Sequence, residues 1–243
     1  MQPLRHDIVQ QLQREVLAVQ RPKKAGARLH PGTGLWEVEQ AFPDHTFPLG
    51  AVHEFISGAR EEAAATNGFM LGLIAGLIEK NRTAVWVSRN RTLFPAALSL
   101  FGIAPEQIIF IDVQRPKDVL WAVEEALKCE ELQVVVGELG ELGFTESRRL
   151  QLAVEQSRVT GFLHRYNPRT ENVTACVTRW KVKPLAGDTG GMPGLGFPRW
   201  DVRLVKVRNG TPGAWHIEWS AGHFMPVARP IFPILEIQHR KAG

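Results

Sequence analysis

The amino-acid sequence predicts an α/β fold, a mainly parallel sheet flanked by helices and extended by antiparallel C-terminal strands. Short apolar segments alternate with longer segments of helical periodicity over residues 51–164, a pattern typical of parallel sheets. After Arg165, strand-like segments follow one another, and two of them flank the turn sequence Asn-Gly-Thr-Pro-Gly at 209–213. The chain has 243 residues, 44% of them hydrophobic, so it can bury such a core without a disulfide or a metal.

The N-terminal segment is predicted to be distinct from that core. Apolar residues recur there at spacings of three and four, which indicates an amphipathic helix over 4–20: Leu4, Ile8, Leu12, Val16 and Val19. A basic linker rich in Pro and Gly follows at 21–34. The helix either forms a separate docking arm or packs against the core. The predicted organisation is therefore helix and linker over 1–34, a core over 35–221 and a Pro-interrupted apolar tail over 222–243.

The core is predicted to begin with buried strands separated by helices. The strands are predicted at 51–56, 83–88, 107–113, 132–136 and 159–164. The helices are predicted at 69–80, 93–101, 116–128 and 147–157, the first of them preceded by a loop over 58–67. The antiparallel end is predicted to contain strands at 173–182, 200–208 and 214–219, with a loop over 184–199.

Composition excludes several classes of protein. Cys129 and Cys176 have no CxxC partner, which argues against a disulfide framework or a zinc site. The longest apolar run, 68–78, is too short to span a bilayer, and the N-terminus shows no secretory signal, so a cytoplasmic protein without a membrane partner is expected. The eight His residues show no HExxH spacing, which argues against a metalloprotease site, and no serine lies in a GxSxG sequence, which argues against a nucleophilic serine.

The positive charge is concentrated in one part of the chain. The net charge is +4, but residues 164–208 alone carry about +6. Such a segment either contacts phosphate backbones or acidic protein surfaces, or forms a solvated sheet edge that Lys and Arg keep soluble. Weak, sequence-independent DNA binding is one expectation from this pattern.

Several stretches of the core, taken in order, carry a family resemblance: 33–59, 83–113, 134–158, 161–165, and 176–182 followed by 194–213. In order and spacing they resemble the RecA-like ATPase core and, within that superfamily, the ImuA family of error-prone repair proteins. The SulA family of cell-division inhibitors shares the middle of the pattern, but SulA-like chains are generally shorter and lack the basic antiparallel end.

The ImuA resemblance implies an adaptor role in mutagenic translesion DNA synthesis, induced by DNA damage as part of the SOS response. It implies partnership with an ImuB-like protein, which is an inactive relative of Y-family polymerases, with an error-prone replicative-type polymerase and with RecA. The alternatives are a SulA-like inhibitor that caps a cytoskeletal filament and an NTPase with a non-standard phosphate loop.

The chain lacks the phosphate loop that a RecA-like ATPase requires. A GxxxxGK[ST] loop binds phosphates through backbone N–H groups and a lysine. Counting from Gly58, the positions of the second glycine, the lysine and the hydroxyl residue hold Ala63, Ala64 and Ala65. Glu61 and Glu62 add negative charge where phosphates would bind. No cofactor is therefore expected at this degenerate loop.

The acidic residues of an ATPase are also displaced. Residues 88–90, at the end of the second predicted strand, contain no acid, and Gly137 stands where the magnesium-binding acid is expected. Glu138 and Glu141 lie close by and are either solvated loop acids or a catalytic pair. These replacements predict a pseudo-ATPase without catalytic residues.

Partner or DNA contacts are predicted at three places. The segment 166–172 is too short to wrap nucleotides, so it is either a turn or a point where Arg165, Tyr166 and Arg169 contact DNA. The Arg-Trp pairs Arg179–Trp180 and Arg199–Trp200 either pack in the core or form a contact surface. The apolar tail, with Phe232 and Leu235, either folds back on the sheet or binds a partner protein.

Overall fold

The computed structural model describes residues 35–189 and 196–227. The predicted N-terminal helix and linker, residues 190–195 of the predicted loop and the tail beyond residue 227 lie outside the described residues. The described residues form a mixed nine-stranded sheet with helices on both faces of its parallel part. This architecture confirms the α/β fold class predicted from the sequence.

The sheet has a parallel part and an antiparallel part. The parallel part contains β1 (Val52–Ser57), β2 (Thr83–Ser88), β3 (Ile108–Asp112), β4 (Leu132–Leu139) and β5 (Thr160–Tyr166). The later strands are β6 (Thr178–Leu185), β7 (Arg199–Val207), β8 (Gly213–Ser220) and β9 (His223–Pro226). The spatial order is β3-β2-β4-β5-β1-β6-β7-β8-β9, and β6 joins the two parts because it runs parallel to β1 and antiparallel to β7.

Three of the α-helices overlap the predicted helices, and a short helix that was not predicted precedes them. The α-helices are α1 (Trp36–Glu39), α2 (Arg60–Leu77), α3 (Pro116–Leu127) and α4 (Phe144–Ser157). The helix predicted over 93–101 is a 3₁₀ helix, Pro95–Phe101, and it ends at Gly102, whose φ of 71° is a left-handed conformation that glycine adopts without strain. None of the helices in the described ranges combines the length and apolar character needed to cross a bilayer.

Two local predictions are wrong. The loop predicted over 58–67 is mostly helix, because α2 begins at Arg60 and its first six residues are Arg, Glu and Ala, which favour helix. The strand predicted from Val173 begins only at Thr178. The preceding segment instead uses its backbone to contact α4, since the Ala175 N–H donates to the Ser147 hydroxyl.

The two faces of the sheet bury separate apolar clusters. On one face α2 packs against aromatic side chains from both parts of the sheet: Phe55, Trp86, Phe162, Trp180, Trp200 and Phe224. On the other face α3 and α4 cover the valines of the parallel strands, including Val52, Val85 and Val135. The period-two alternation of the strands thus separates the residues into two cores.

The predicted tail begins inside the fold. His223–Pro226 form β9, and Phe224 is fully buried against Phe69 and Trp219. Phe224, which lies within the range predicted as tail, is therefore a core residue. The reason is its register opposite Trp219 on β8, which places its ring on the α2 face of the sheet.

The contact between α2 and β9 predicts a specific packing defect. A β-carbon at Gly72 would overlap the ring of Phe224. Gly72→Ala should therefore destabilise the protein by about 1–3 kcal/mol, although helix propensity alone predicts that Ala in α2 is stabilising. Urea unfolding measures whether Gly72→Ala raises or lowers the free energy of unfolding. Adding Phe224→Leu should make the effect of Gly72→Ala smaller, and equal effects in both backgrounds would contradict the overlap.

Candidate functional site

The candidate site lies at the carboxyl ends of the parallel strands, where ligands bind in open α/β sheets. Ser57, Ser88, Glu138 and His164 stand near the ends of β1, β2, β4 and β5. The neighbouring hydrogen bonds place this group on the face covered by α2. The site therefore lies at the edge of the sheet where open α/β proteins commonly hold a ligand.

The connection from β1 to α2 has no room for a phosphate loop. Only Gly58 and Ala59 separate the last residue of β1 from the first residue of α2. Ala63, Ala64 and Ala65 all lie within α2. A phosphate loop needs several consecutive non-helical residues whose N–H groups converge on the anion. The described residues at this position therefore do not fit a nucleotide phosphate.

A carboxylate of the protein itself contacts this connection. Glu62 Oε2 accepts a hydrogen bond of 2.8 Å from the backbone N–H of Gly58, and Glu62 Oε1 lies 3.1 Å from Lys183 Nζ. The Gly58 hydrogen bond lowers the pKa of Glu62 and outweighs the opposite effect of partial burial, and Lys183 lowers this pKa further. Glu62 is therefore held as an anion at the N-terminus of α2.

Glu138 lies in a strand rather than in a solvated loop. It is half-buried near the end of β4, where its Oε1 accepts hydrogen bonds from Trp86 Nε1 at 2.8 Å and from Thr92 Oγ1 at 3.1 Å. Burial raises the pKa of Glu138, and the two hydrogen bonds oppose that shift. The interpretation as a solvated loop acid is wrong for Glu138, because β4 extends three residues beyond its predicted end at 136.

Glu141 fits the solvated alternative. Its side chain is 55% exposed, it accepts a hydrogen bond of 2.8 Å from the Arg169 N–H, and it lies 3.5 Å from Arg165 Nη2. Glu138 and Glu141 thus use different partners, and no hydrogen bond links one to the other among the described contacts.

A buried hydrogen-bonded chain joins β1, β5 and α2. Ser57 Oγ lies 2.9 Å from His164 Nε2 and 2.9 Å from Thr66 Oγ1. Burial lowers the pKa of His164 to about 4, so the imidazole is neutral at pH 7. The pair has the geometry of a nucleophile and a base. However, Ser57 is completely buried, and the adjacent Gly58 N–H is already bonded to Glu62.

A second polar network lies on the opposite face of β1. Glu54 and Arg165 are both completely buried, and Glu54 Oε1 accepts a hydrogen bond of 2.7 Å from Arg165 Nη1. Glu54 Oε2 accepts from Arg179 Nε at 2.7 Å and from Thr174 Oγ1 at 3.0 Å. Arg165 Nη2 also donates to the Thr170 carbonyl and to Asn172 Oδ1. The network therefore fixes the segment between β5 and β6.

Several residues predicted to contact DNA or a partner are buried or already paired within the protein. Arg165 cannot reach DNA in this conformation because its guanidinium is buried in the Glu54 network, and Arg179 is held by the same carboxylate. Trp180 and Trp200 are buried, so the core alternative describes both Arg-Trp pairs. Arg199 pairs with Glu218 and Asp188.

Other predicted contact residues stay accessible or lie outside the described ranges. Tyr166 is 44% exposed, and Arg169 is exposed, so both remain predicted contacts. Phe232 and Leu235 lie outside the described residues. The structure thus brings Arg165 and Arg179 together on Glu54, whereas the side chains of Tyr166 and Arg169 make no contact with that carboxylate among the described hydrogen bonds.

Most of the positive charge of residues 164–208 is neutralised by ion pairs. Lys181 lies 2.6 Å from Glu171, and Arg203 lies 2.8 Å from Asp201. The partners of Arg165, Arg179 and Lys183 come from outside the segment, which the charge count along the sequence cannot reveal. Arg169, Lys206 and Arg208 have no ion pair among the described contacts, so the positive charge left for a phosphate backbone is smaller than the count along the sequence suggests.

Sequence reasoning missed the Glu54 network, although a signal for it was present. His53 and Glu54 are polar residues within the otherwise apolar strand sequence AVHEFI. A charge at a buried strand position requires a partner, because an unpaired buried charge is very costly. The Ser57–His164 and Glu62–Lys183 contacts have no comparable local signal, since their residues are far apart in the chain.

The described residues offer few other chemical groups. No cluster of three or more His, Cys, Asp or Glu side chains that could hold a metal ion occurs among them. Burial raises the pKa of the Cys176 thiol to about 11. A cavity of about 200 Å³ lies at the opposite edge of the sheet and is lined by Leu49, Leu77, Glu79, Arg82, Leu132, Gln133, Arg158 and Thr160. This volume is below the ~300 Å³ typical of small-molecule sites.

Comparison with known proteins identifies two groups of relatives. The chain is 33% identical over 200 residues to Protein ImuA of Caulobacter vibrioides, in strains NA1000 / CB15N and ATCC 19089, and the alignment covers 76% of this chain and 82% of the relative. It is 26% identical over 116 residues to the cell division inhibitor SulA of Serratia marcescens, over 48% of this chain and 68% of the relative. No family model matches the chain.

Proposed function

Because the chain belongs to the ImuA family, we propose that it acts as a non-hydrolysing adaptor in mutagenic translesion DNA synthesis during the DNA damage response. In this proposal it assembles an ImuB-like partner with an error-prone replicative-type polymerase, and RecA is a further partner. The similarity over 76% of the chain is the observation that carries the proposal. The free energy for assembly comes from surface contacts and not from phosphoryl transfer.

The geometry at the carboxyl edge supports the non-hydrolysing part of the proposal. The two-residue connection between β1 and α2 supplies no phosphate loop, and the N-terminus of α2 faces the carboxylate of Glu62. A bound nucleotide would place its phosphates against this negative charge, which is unfavourable. Glu138 Oε1 accepts hydrogen bonds from Trp86 and Thr92, so one oxygen of this acid is already bonded within the protein.

We expect the purified full chain to show no magnesium-dependent ATP hydrolysis above background. The physical reason is the lack of a lysine and of converging N–H groups for the phosphates. Phosphate release with and without Mg²⁺ is the measurement. Glu138→Ala serves as the test of any residual signal and exposed Glu61→Ala as its matched control. Hydrolysis that Glu138→Ala abolishes and Glu61→Ala preserves would show that the chain is an ATPase.

Deleting residues 229–243 should abolish co-purification with the ImuB-like partner and leave the melting temperature unchanged. The deleted sequence is rich in large apolar residues, including Phe232 and Leu235, and such segments often mark interfaces. The cut lies beyond β9, so it removes none of the described core. Pull-down and thermal unfolding of both chains are the measurements. A much lower melting temperature would assign the tail to the core instead.

The similarity to SulA supports a second candidate function, inhibition of cell division by binding a cytoskeletal filament protein. The same purified chain distinguishes the two. Binding to FtsZ without binding to an ImuB-like partner would favour this second candidate. The lower identity and the 48% coverage make it the weaker of the two proposals.

A further inference from the structure

The two kinds of group that bind anions in a phosphate loop, a backbone N–H and a lysine ammonium, lie at the start of α2, but in a different arrangement. A phosphate loop combines backbone N–H groups with a lysine ammonium around the anion. In this chain Glu62 Oε2 accepts from the Gly58 N–H at 2.8 Å, and Glu62 Oε1 lies 3.1 Å from Lys183 Nζ. One carboxylate therefore contacts both kinds of group, one through each oxygen.

The lysine reaches this position from another strand. β6 runs parallel to β1, with His53 opposite Thr178 and Phe55 opposite Trp180. Continuing that register by three residues places Lys183 beside Gly58, the first residue after β1. The Lys183 ammonium is thus delivered by β6 and is absent from the β1–α2 connection itself.

We propose that Glu62 is an internal substitute for a bound phosphate, which holds the junction of β1, α2 and β6 in an anion-bound arrangement without a ligand. The carboxylate neutralises the N-terminus of α2 and the Lys183 ammonium together. It also excludes an external anion from the same groups, since two anions would repel one another. The inference concerns only this junction and does not depend on the adaptor role.

Alternative explanations make different predictions. If Glu62 were only a surface ion-pair partner, its removal would matter little, because exposed pairs contribute little to stability. If it were only one negative charge among several, removing the neighbouring exposed Glu61 would have the same effect. The proposal requires instead that removal of Glu62 creates an anion site and that removal of Glu61 does not.

The test is the response of the melting temperature of the full chain to inorganic phosphate, compared with chloride at equal ionic strength. The wild-type chain and Glu61→Ala should show the same small gain in phosphate, because phosphate stabilises folded proteins in general. Glu62→Ala should melt lower in chloride and should gain about 2–4 °C more in phosphate than the wild-type chain, as expected for a ligand that binds only the folded state. Adding Lys183→Met to Glu62→Ala should remove this gain.

Each outcome decides the proposal. An additional phosphate gain confined to Glu62→Ala and lost on adding Lys183→Met supports it. An equal response of Glu61→Ala and Glu62→Ala overturns it, since the effect would then be one of net charge. A gain of the wild-type chain in phosphate as large as that of Glu62→Ala also overturns it, because the anion site would then be free in the presence of Glu62. The absence of any additional gain in Glu62→Ala overturns it as well.

Discussion

Glu54→Gln is expected to lower the free energy of unfolding by about 3–5 kcal/mol, the cost of breaking a buried ion pair by changing one partner. The substitution keeps the shape of the side chain but removes the charge that compensates Arg165 and Arg179. Because Arg165 is completely buried, water cannot replace the lost interaction. Among the described contacts the Nε of Arg165 has no hydrogen-bond partner, so weakening the Glu54 contact adds to an existing deficit in this buried guanidinium.

The measurement is equilibrium unfolding in urea, with Glu125→Gln as the matched control. Glu125 pairs with Lys128 on the exposed side of α3, so the control removes one carboxylate charge from a solvated ion pair. This control should leave the free energy of unfolding almost unchanged. Similar stabilities of Glu54→Gln and Glu125→Gln would contradict an energetic role for the buried network.

The protein is expected to lose stability steeply as the pH falls from about 6.5 to about 4. Burial lowers the pKa values of His53 and His164 to about 4 in the folded chain, whereas an exposed histidine has a pKa near 6.5. The unfolded chain therefore binds more protons in this interval. The stabilisation is fully present above pH 6.5 and is lost as the pH approaches 4. Each histidine accounts for about 3 kcal/mol of this loss.

Burial lowers the pKa of His53 although the Pro48 carbonyl opposes the shift, and the hydrogen-bond partners of the ring suit its neutral form. His53 lies 2.8 Å from the Pro48 carbonyl through Nε2 and 2.8 Å from Thr178 Oγ1 through Nδ1. A neutral ring satisfies both contacts if Nε2 donates to Pro48 and Nδ1 accepts from the Thr178 hydroxyl. Protonation would turn Nδ1 into a donor, and Thr178 Oγ1 already accepts from Trp180 Nε1.

Urea unfolding at a series of pH values between about 7.5 and 4 measures this dependence. The slope of the unfolding free energy against pH is the readout, because it separates proton linkage from the packing loss caused by a substitution. His164→Gln should make the slope smaller by about half in this interval. Exposed His45→Asn removes a histidine from the surface and serves as its control. A His164→Gln slope equal to that of the wild-type chain would contradict the shifted pKa of His164.

Short-range patterns in the sequence were sufficient for the fold class and for most elements. Strands β2 and β6 illustrate the difference in precision. The apolar run TAVWVS matches β2 residue for residue, because a buried strand bounded by polar residues is defined locally. The start of β6 is misplaced, since the segment before it is held by contacts to α4 and not by its own alternation. The helical start at 60–67 was missed because the large apolar residues that indicate the helix begin only at Phe69.

By itself, the sequence determined that the chain alternates strands and helices, that it lacks the lysine of a phosphate loop and that it resembles the ImuA family. Only the tertiary structure decided that Arg165, Trp180 and Trp200 are buried and that Glu138 is half-buried in a strand. It also decided which anion faces the N-terminus of α2. The physical reason is that local patterns report on neighbours within about one turn or one strand. Burial and ion pairing depend on register between strands, as Glu62 with Lys183 and Glu54 with Arg165 show.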